Sequence, residues 1–163
     1  MLNNLQIVSI AAEHNVAIAK IIRAGLEEFK ANKPGTVYFD ASTDSLFELF
    51  AANTKSKYFI ALINDKVVGG AGIYPTEGLP KDTCELVKMY LDKSVRGLGL
   101  GKKMIDHCIS AAKQDGFSKM YLETLPELNK AVKVYEALGF SYLQQPLGNS
   151  GHTGCNIWMI KNI

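Results

Sequence analysis

The sequence predicts a mixed α/β domain with its elements in the order β-α-α-β-β-β-α-β-α-β-β. Short runs rich in β-branched and aromatic residues alternate with segments whose apolar residues recur every three or four positions. Glycine, proline, asparagine and aspartate stand between these segments, where turns are needed. The length of 163 residues suits a sizeable core, so residues 1–163 are expected to form a single domain.

One strand and two helices are predicted to open the chain. Apolar and polar residues alternate over residues 5–10 as in a strand. Residues 13–30 place their apolar side chains on one helical face. Thr43 or Asp44 is expected to cap a short second helix, whose apolar side chains between residues 46 and 50 face the core.

A hairpin and a further strand are predicted next. Residues 57–63 and 66–74 are both β-rich, and the dipeptide Asn64-Asp65 between them is typical of a tight hairpin turn. Residues 84–92 form the fourth strand after a polar loop. These three strands are therefore expected to be neighbours in one sheet.

The second half of the chain predicts two helices and three strands. A helix of about four turns begins near Gly101 and ends at Asp115-Gly116. Residues 117–125 form the fifth strand, and residues 127–138 form a helix with Gly139 just beyond its end. The last two strands are predicted at residues 140–145 and 155–161, and a polar, glycine-rich loop, residues 146–154, lies between them.

Composition and charge exclude several classes of protein. The net charge of +2, without a long run of Lys or Arg, argues against a nucleic-acid-binding regulator. The longest apolar run, Tyr58–Ile63, is too short to span a membrane, and the N-terminus lacks the basic region of a signal peptide. Cys84, Cys108 and Cys155 are odd in number and far apart, which favours reduced thiols and a cytoplasmic location.

The stretch RGLGLGKK, residues 96–103, places glycines at alternate positions directly before a helix. A P-loop would need Ser or Thr where Lys103 stands, and a dinucleotide fingerprint would need glycine where Lys102 or Met104 stands. The pattern R-x-x-G-x-G remains, with Arg96 as its arginine. Since a helix N-terminus attracts anions, the stretch predicts either a diphosphate cradle or a closely packed turn.

Two segments resemble motifs of the GNAT superfamily of acyl-CoA-dependent N-acyltransferases. ELVKMYLDKSVRGLGLGKKM, residues 85–104, resembles motif A, which supplies a strand and the loop for the pyrophosphate. LNKAVKVYEALGF, residues 128–140, resembles motif B, commonly written N-x-x-A-x-x-x-Y-x-x-x-G-F. The resemblance covers nearly the whole chain. It implies a mixed central sheet whose fourth and fifth strands splay apart.

The match to motif B is in register at four positions and departs from it at one. The matching residues are Ala131, Tyr135, Gly139 and Phe140. Leu128 occupies the place of the asparagine, and Asn129 comes one residue later. One residue turns a helical side chain by about 100°, so a cofactor contact carried over to Asn129 competes with a role in the first turn of the helix.

The resemblance implies acetyl-CoA as cofactor, bound in the gap between the splayed strands. Its pantetheine arm would pair with the main chain of Met89, Tyr90 and Leu91 as an added strand does. Its diphosphate would lie on the backbone N–H groups of Arg96, Gly97, Leu98, Gly99, Leu100, Gly101 and Lys102. These contacts are mostly with the backbone, so the side chains of the intervening leucines matter little.

For the chemistry, the family implies direct attack of an amine on the thioester. Tyr135 holds the usual position of the acid that protonates the leaving thiolate, and the alternative is a tyrosine of the core. Glu85 is the candidate base, directly or through a water, and the alternative is a rim carboxylate that attracts a cationic substrate. Glu123, on the fifth strand, is a substrate-binding candidate and a second choice for the base.

Loop residues supply the remaining candidates. Tyr38 and Asp40 follow the first helix, where the family often builds its acceptor site, and His152 lies in the late loop. Each is expected either to contact the substrate or to be an ordinary loop side chain. His152 and Cys155 offer only two ligands, so no metal site is predicted.

The implied function is transfer of an acetyl group from acetyl-CoA to a primary amine of a small molecule or peptide. The alternative is a non-catalytic acyl-CoA sensor or binding module on the same fold. The expected partner is the amine substrate, and relatives suggest a homodimer. Neither a nucleic acid nor a membrane is expected as a partner.

Overall fold

Seven strands form one sheet in the computed structural model, which describes residues 2–163. In chain order the strands are β1 (Leu5–Ser9), β2 (Lys57–Ile63), β3 (Lys66–Tyr74), β4 (Thr83–Leu91), β5 (Lys119–Thr124), β6 (Ser141–Leu143) and β7 (Ile157–Asn162). The α-helices are α1 (Asn15–Glu28), α2 (Leu46–Ala51), α3 (Leu100–Gln114) and α4 (Asn129–Ala137). The predicted mixed α/β order is confirmed. None of the helices within residues 2–163 has the length and apolar character needed to cross a bilayer.

The strands lie in the order β1-β2-β3-β4-β5-β7-β6, and their pairing opens a gap in the middle of the sheet. Every pair of neighbours is antiparallel except β4 and β5, which run parallel. These two strands pair only from Thr83↔Lys119 to Glu85↔Tyr121. Beyond Glu85 they separate, so residues 86–91 have β3 on one side and, within residues 2–163, no strand on the other. The predicted splay is confirmed.

The hydrophobic core lies on both faces of the sheet, and the side chains of β2 contribute to the two faces in alternation. Tyr58 and Ile60 belong to the cluster beneath α1 and α2. Phe59 and Ala61 point the other way, into the cluster beneath α3. Successive strand side chains face opposite sides of a sheet, so the apolar part of β2, Tyr58–Ile63, supplies both clusters.

Two predicted turns are confirmed by their backbone angles. Asn64 and Asp65 both have positive φ, 49° and 63°, as a two-residue hairpin turn with the right-handed twist of its strands requires. Gly139 follows the last turn of α4 with a φ of 86°, the left-handed conformation that commonly ends a helix.

The capping prediction for α2 was wrong. Thr43 and Asp44 lie in a short 3-10 turn, residues 41–44, and the residue before the helix is Ser45. The Thr43 hydroxyl instead donates to the Val37 carbonyl at 2.8 Å. Asp44 forms an ion pair with Arg23 of α1. Both side chains were therefore drawn away from the helix terminus by tertiary partners.

A β-bulge bends β4 at Lys88, which has a φ of 49°. Gly70 pairs with Tyr90 and Gly72 pairs with Val87, so β4 holds one residue more than β3 between these pairs. The Tyr58 hydroxyl donates to the Lys88 carbonyl at 2.7 Å and fixes the bulge. A Cβ at Gly70 or Gly72 would lie 2.6 Å from the Tyr58 ring, so these glycines provide the space for it.

Candidate active site

A cavity of about 420 Å³ occupies the gap where β4 leaves β5. Its long wall is the unpaired part of β4, which includes Met89, Tyr90 and Leu91. Strand β5, the start of α3 and one face of α4 line it as well, together with the end of α1 and residues of two loops, among them Val37 and His152. The predicted cofactor segments of β4 and α3 therefore meet at one cavity.

The start of α3 presents a row of backbone N–H groups to this cavity. The Arg96 N–H donates to the Lys93 carbonyl, and the Lys103 N–H donates to Gly99 at 3.2 Å. Among residues 2–163, no acceptor is found for the N–H groups of residues 97–102. Unpaired N–H groups and the positive end of a helix dipole attract anions.

Two glycines shape this row. Gly97 and Gly99 have φ values of 76° and 82°, and a Cβ on either would meet no atom within 4 Å. Their conformation, and not the packing of the protein, therefore requires glycine. Arg96 holds the loop in place, because its Nε donates to the Leu91 carbonyl at 3.0 Å and its guanidinium pairs with Glu28 of α1.

Glu85 lies at the point where the two strands separate. It is only 3% exposed, and its Oε2 accepts a hydrogen bond from the Thr76 hydroxyl. Burial raises the pKa of Glu85 to about 7, and the nearby Glu123 carboxylate adds to the rise. The carboxyl group is thus poised to exchange a proton near neutral pH.

Tyr135 faces the same cavity from α4. The residue is 7% exposed, and its ring packs edge-on against Phe140 with centroids 5.9 Å apart. Burial raises the pKa of its phenol to about 12, so the hydroxyl keeps its proton at neutral pH. None of the side-chain hydrogen bonds found within residues 2–163 uses this hydroxyl, which leaves it available to a ligand.

Ionisable side chains from distant parts of the sequence gather beside Glu85. One potential ligand atom each from Glu85, Glu123 and His152 lies within 4.8 Å of the others. His152 Nε2 lies 2.8 Å from Asp40 Oδ2, and Lys88 Nζ lies 3.4 Å from the same oxygen. Burial alone would raise the pKa of Asp40, but the bond to His152 and the Lys88 charge lower it below its usual value.

Glu85, Glu123 and His152 are residue types that can ligate a cation. Each of them, however, already has a hydrogen-bond partner in the protein. Thr76 donates to Glu85, and Tyr121 and Ser150 donate to the two oxygens of Glu123. His152 is held by Asp40. The arrangement therefore favours proton exchange and binding of a polar substrate.

The loop that follows β6 covers this end of the cavity. The Asn149 N–H donates to the Glu77 carbonyl at 2.7 Å, and the Gly154 N–H donates to the Gly35 carbonyl at 2.9 Å. A Cβ at Gly35 would lie 2.6 Å from the Gly154 nitrogen, so the two backbones approach closely. The loop is thus fastened on both sides of the site.

Five predicted site residues do not line the cavity, and one of them, Asp40, reaches it only through its contacts with His152 and Lys88. The Tyr38 hydroxyl turns away to Glu27 of α1, and Leu98 is exposed. Leu100 is buried in the core and its side chain does not line the cavity. Asn129 is exposed on the outer side of α4, and the lining residues near it are Leu128, Lys130 and Ala131.

Two residues that the sequence did not single out contribute to the site: Thr76 and Lys88. A lysine between the apolar residues Val87 and Met89, in a strand expected to be buried, was a signal that could have identified Lys88. Thr76 gave no such signal, because only the fold brings it to Glu85.

Comparison with known proteins identifies the family. Residues 23–140 match the acetyltransferase (GNAT) family. The chain is 36% identical over 156 residues to an Escherichia coli K12 protein named uncharacterized N-acetyltransferase YjgM, and the match covers 94% of this chain and 92% of that protein.

Solved structures show the same fold. A GNAT-family acetyltransferase from Staphylococcus aureus Mu50 matches with a TM-score of 0.81 and 21% identity, over 97% of this chain and 98% of that one. The Salmonella typhimurium protein yncA, solved with its cofactor acetyl-CoA, matches with a TM-score of 0.77 and 18% identity, over 98% of this chain and 94% of that one. The chain therefore belongs to the GNAT family and is an acetyltransferase that uses acetyl-CoA as its cosubstrate.

Proposed function

We propose that the protein transfers the acetyl group of acetyl-CoA directly to a primary amine of a small molecule or peptide. The observation that carries this proposal is the placement of Glu85 and Tyr135 on one cavity, in the gap between β4 and β5. One side chain takes up or releases a proton near pH 7, and the other holds its proton well above that pH. Amine acylation needs a base and an acid of this kind.

The backbone around the gap fits the cofactor. The unpaired edge of residues 86–91 offers an added strand to the pantetheine arm, with Met89, Tyr90 and Leu91 as the pairing residues. The free N–H groups of residues 97–102 offer a cradle to the diphosphate. Lys102 lines the cavity beside them and adds positive charge. Acetyl-CoA supplies the thioester carbonyl to this site.

In this proposal Glu85 removes the proton from the acceptor ammonium, directly or through a water. Its Oε2 is held by Thr76, and the carboxylate retains acceptor capacity toward the cavity that it lines. Both oxygens of Glu123 already accept hydrogen bonds from Tyr121 and Ser150, so Glu123 is the weaker candidate. Tyr135 then donates its proton to the departing sulfur.

CoA release measured with a thiol-reactive dye, across a panel of amines, amino acids and peptides, tests the proposal. An enzyme-only blank is required because Cys84, Cys108 and Cys155 are free thiols. We expect release that depends on the amine. Binding of acetyl-CoA by calorimetry without release by any primary amine would contradict the proposal. Membership of an acetyltransferase family favours an enzyme over the non-catalytic sensor.

The rate is expected to fall in acid. Glu85 must be ionised to accept a proton, and its pKa is raised to about 7. Below that pH, kcat/KM should drop about tenfold for each pH unit, and above it the rate should level off. A pH profile of kcat/KM measures this directly. A profile that stays flat from pH 5 to pH 8 would remove Glu85 as the base.

A single methyl group in the N–H cradle is expected to weaken cofactor binding. Gly99→Ala places a Cβ in the open space before α3, and we expect its Kd for acetyl-CoA to rise about tenfold, or about 1.4 kcal/mol. Gly116→Ala is the matched control, because Gly116 has a similar φ of 88° and an equally open Cβ position but lies outside the cavity. Both variants should lose about 1 kcal/mol of stability, and calorimetry should show weaker binding only for Gly99→Ala.

Two broader expectations remain predictions. The free thiols favour a reducing, cytoplasmic location, which fractionation would test. A homodimer is expected by analogy with relatives, and light scattering would give the mass of the particle against the 17.9 kDa of one chain.

A further inference from the structure

Lys88 is a buried cation with too few partners. Its side chain is 6% exposed and lines the cavity, because the β4 bulge turns it toward the loop that carries Asp40. An ammonium group has three N–H donors, and this one has a single long contact, 3.4 Å to Asp40 Oδ2. Burial lowers the pKa of Lys88, while Asp40 and Glu85 act in the opposite direction. A buried charge normally has close, complete partners.

Asp40 does not supply those partners by itself. The oxygen that Lys88 approaches also lies 2.8 Å from His152 Nε2, which makes the shorter contact. The Lys88 ammonium therefore keeps donors that point to no protein acceptor found within residues 2–163. An acceptor oxygen from a ligand in the cavity would complete its hydrogen bonds.

The neighbouring carboxylates show where the amine of a ligand would lie. Both oxygens of Glu123 are occupied, by Tyr121 and Ser150, and Asp40 is shared between His152 and Lys88. Glu85 accepts one hydrogen bond, from Thr76. Spare acceptor capacity at Glu85 and spare donors at Lys88 thus lie at the same end of one cavity.

We propose that the acceptor is a free amino acid whose amine faces Glu85 and whose carboxylate faces Lys88. The inference rests on the proposed function, since it assigns the substrate of that same site. The late loop supports a small acceptor, because its contacts with Glu77 and Gly35 fasten it across this end of the cavity. A diamine would place a second cation beside the Lys88 ammonium, and a peptide chain would have to displace the fastened loop.

The first test compares amino acids with their amides as acceptors. Each amide keeps the amine and the side chain but lacks the carboxylate. We expect kcat/KM for the best amino acid to exceed that of its amide at least tenfold. Equal values for the two would overturn the inference while leaving amine acetylation intact.

Lys88→Met and Lys88→Arg provide the second test. Met keeps the length of the side chain without the charge, so it should raise KM for the amino acid at least tenfold and reduce the preference for the amino acid over its amide by a similar factor. Arg should restore most of the preference, because it retains a charged donor. Melting curves verify that both variants fold. A Met variant that keeps the full preference for the carboxylate would overturn the inference.

Calorimetry with CoA-bound protein separates the inference from the proposed function. Binding of an amino acid that Lys88→Met abolishes, without turnover of any acceptor, would support the assigned ligand and contradict the proposed reaction. Turnover of amines without any preference for a carboxylate would support the proposed reaction and contradict the assigned ligand. If the protein neither binds nor turns over any amino acid, the inference is overturned.

Discussion

Glu85→Gln is expected to lower kcat for acetyl transfer about a thousandfold, within the range for loss of a positioned general base. Glutamine keeps the size of the side chain and an oxygen that can accept from Thr76, so the change removes the proton acceptor and little else. The acid limb of the pH profile, with its midpoint near pH 7, should disappear together with the activity. Steady-state kinetics from pH 5 to pH 9 would measure both effects.

Stability provides the control for this variant. The pKa of Glu85 is higher in the folded protein than its ordinary value, so folding favours the protonated form. That stabilisation is complete below pH 4.5 and is lost as the pH rises through 7. Glutamine never ionises, so at pH 8 the variant should melt at the same temperature as the parent or higher. A loss of activity accompanied by a lower melting temperature would point to misfolding.

Glu123→Gln distinguishes the two candidate bases. Its oxygens are held by Tyr121 and Ser150, so the exchange should disturb the loop and raise KM for the acceptor. The acid limb near pH 7 should persist in this variant. If Glu123→Gln removes the limb and Glu85→Gln preserves it, the assignment of the base is reversed.

Tyr135→Phe is expected to slow CoA release about a hundredfold while the affinity for acetyl-CoA stays within about threefold of the parent. The ring and its contact with Phe140 remain, so the change removes only the hydroxyl that faces the cavity. Single-turnover kinetics and calorimetry would measure the two quantities separately. Unchanged turnover would assign Tyr135 to the core alone.

Tyr142→Phe is the matched control for this experiment. Tyr142 lies on β6, is 54% exposed and hydrogen-bonds to Glu136, outside the cavity. Removing its hydroxyl should leave turnover unchanged. A comparable loss in both variants would show that the effect does not depend on the site.

The fold could be predicted from local signals because those signals agree with the tertiary structure. The Asn64-Asp65 turn and the C-terminal Gly139 carry their own backbone preferences, so no distant contact is needed to specify them. The cofactor half of the site was predictable for the same reason. The cofactor contacts that we propose come from the continuous segment Met89–Lys102, in which glycine spacing and the following helix are visible in the sequence.

The acceptor half could not be predicted in detail because its contacts are not local. Asp40 and His152 are separated by 112 residues, and no pattern in either segment indicates the other. Thr76 was an ordinary loop residue until the fold placed it on Glu85. The Asn129 assignment depended on a motif that was one residue out of register, and the helix turned that side chain to the solvent.

We expect the unpaired edge of β4 to make the resistance of the protein to proteases depend on acetyl-CoA. Within the described residues 2–163, residues 86–91 have no neighbouring strand on one side, and the proposed cofactor would lie there. A ligand that binds only the folded chain stabilises it, by about 2.7 kcal/mol at a hundred times its Kd. Cleavage by proteases often follows the small population of opened molecules, so a full pool of acyl-CoA protects the protein and an empty pool exposes it.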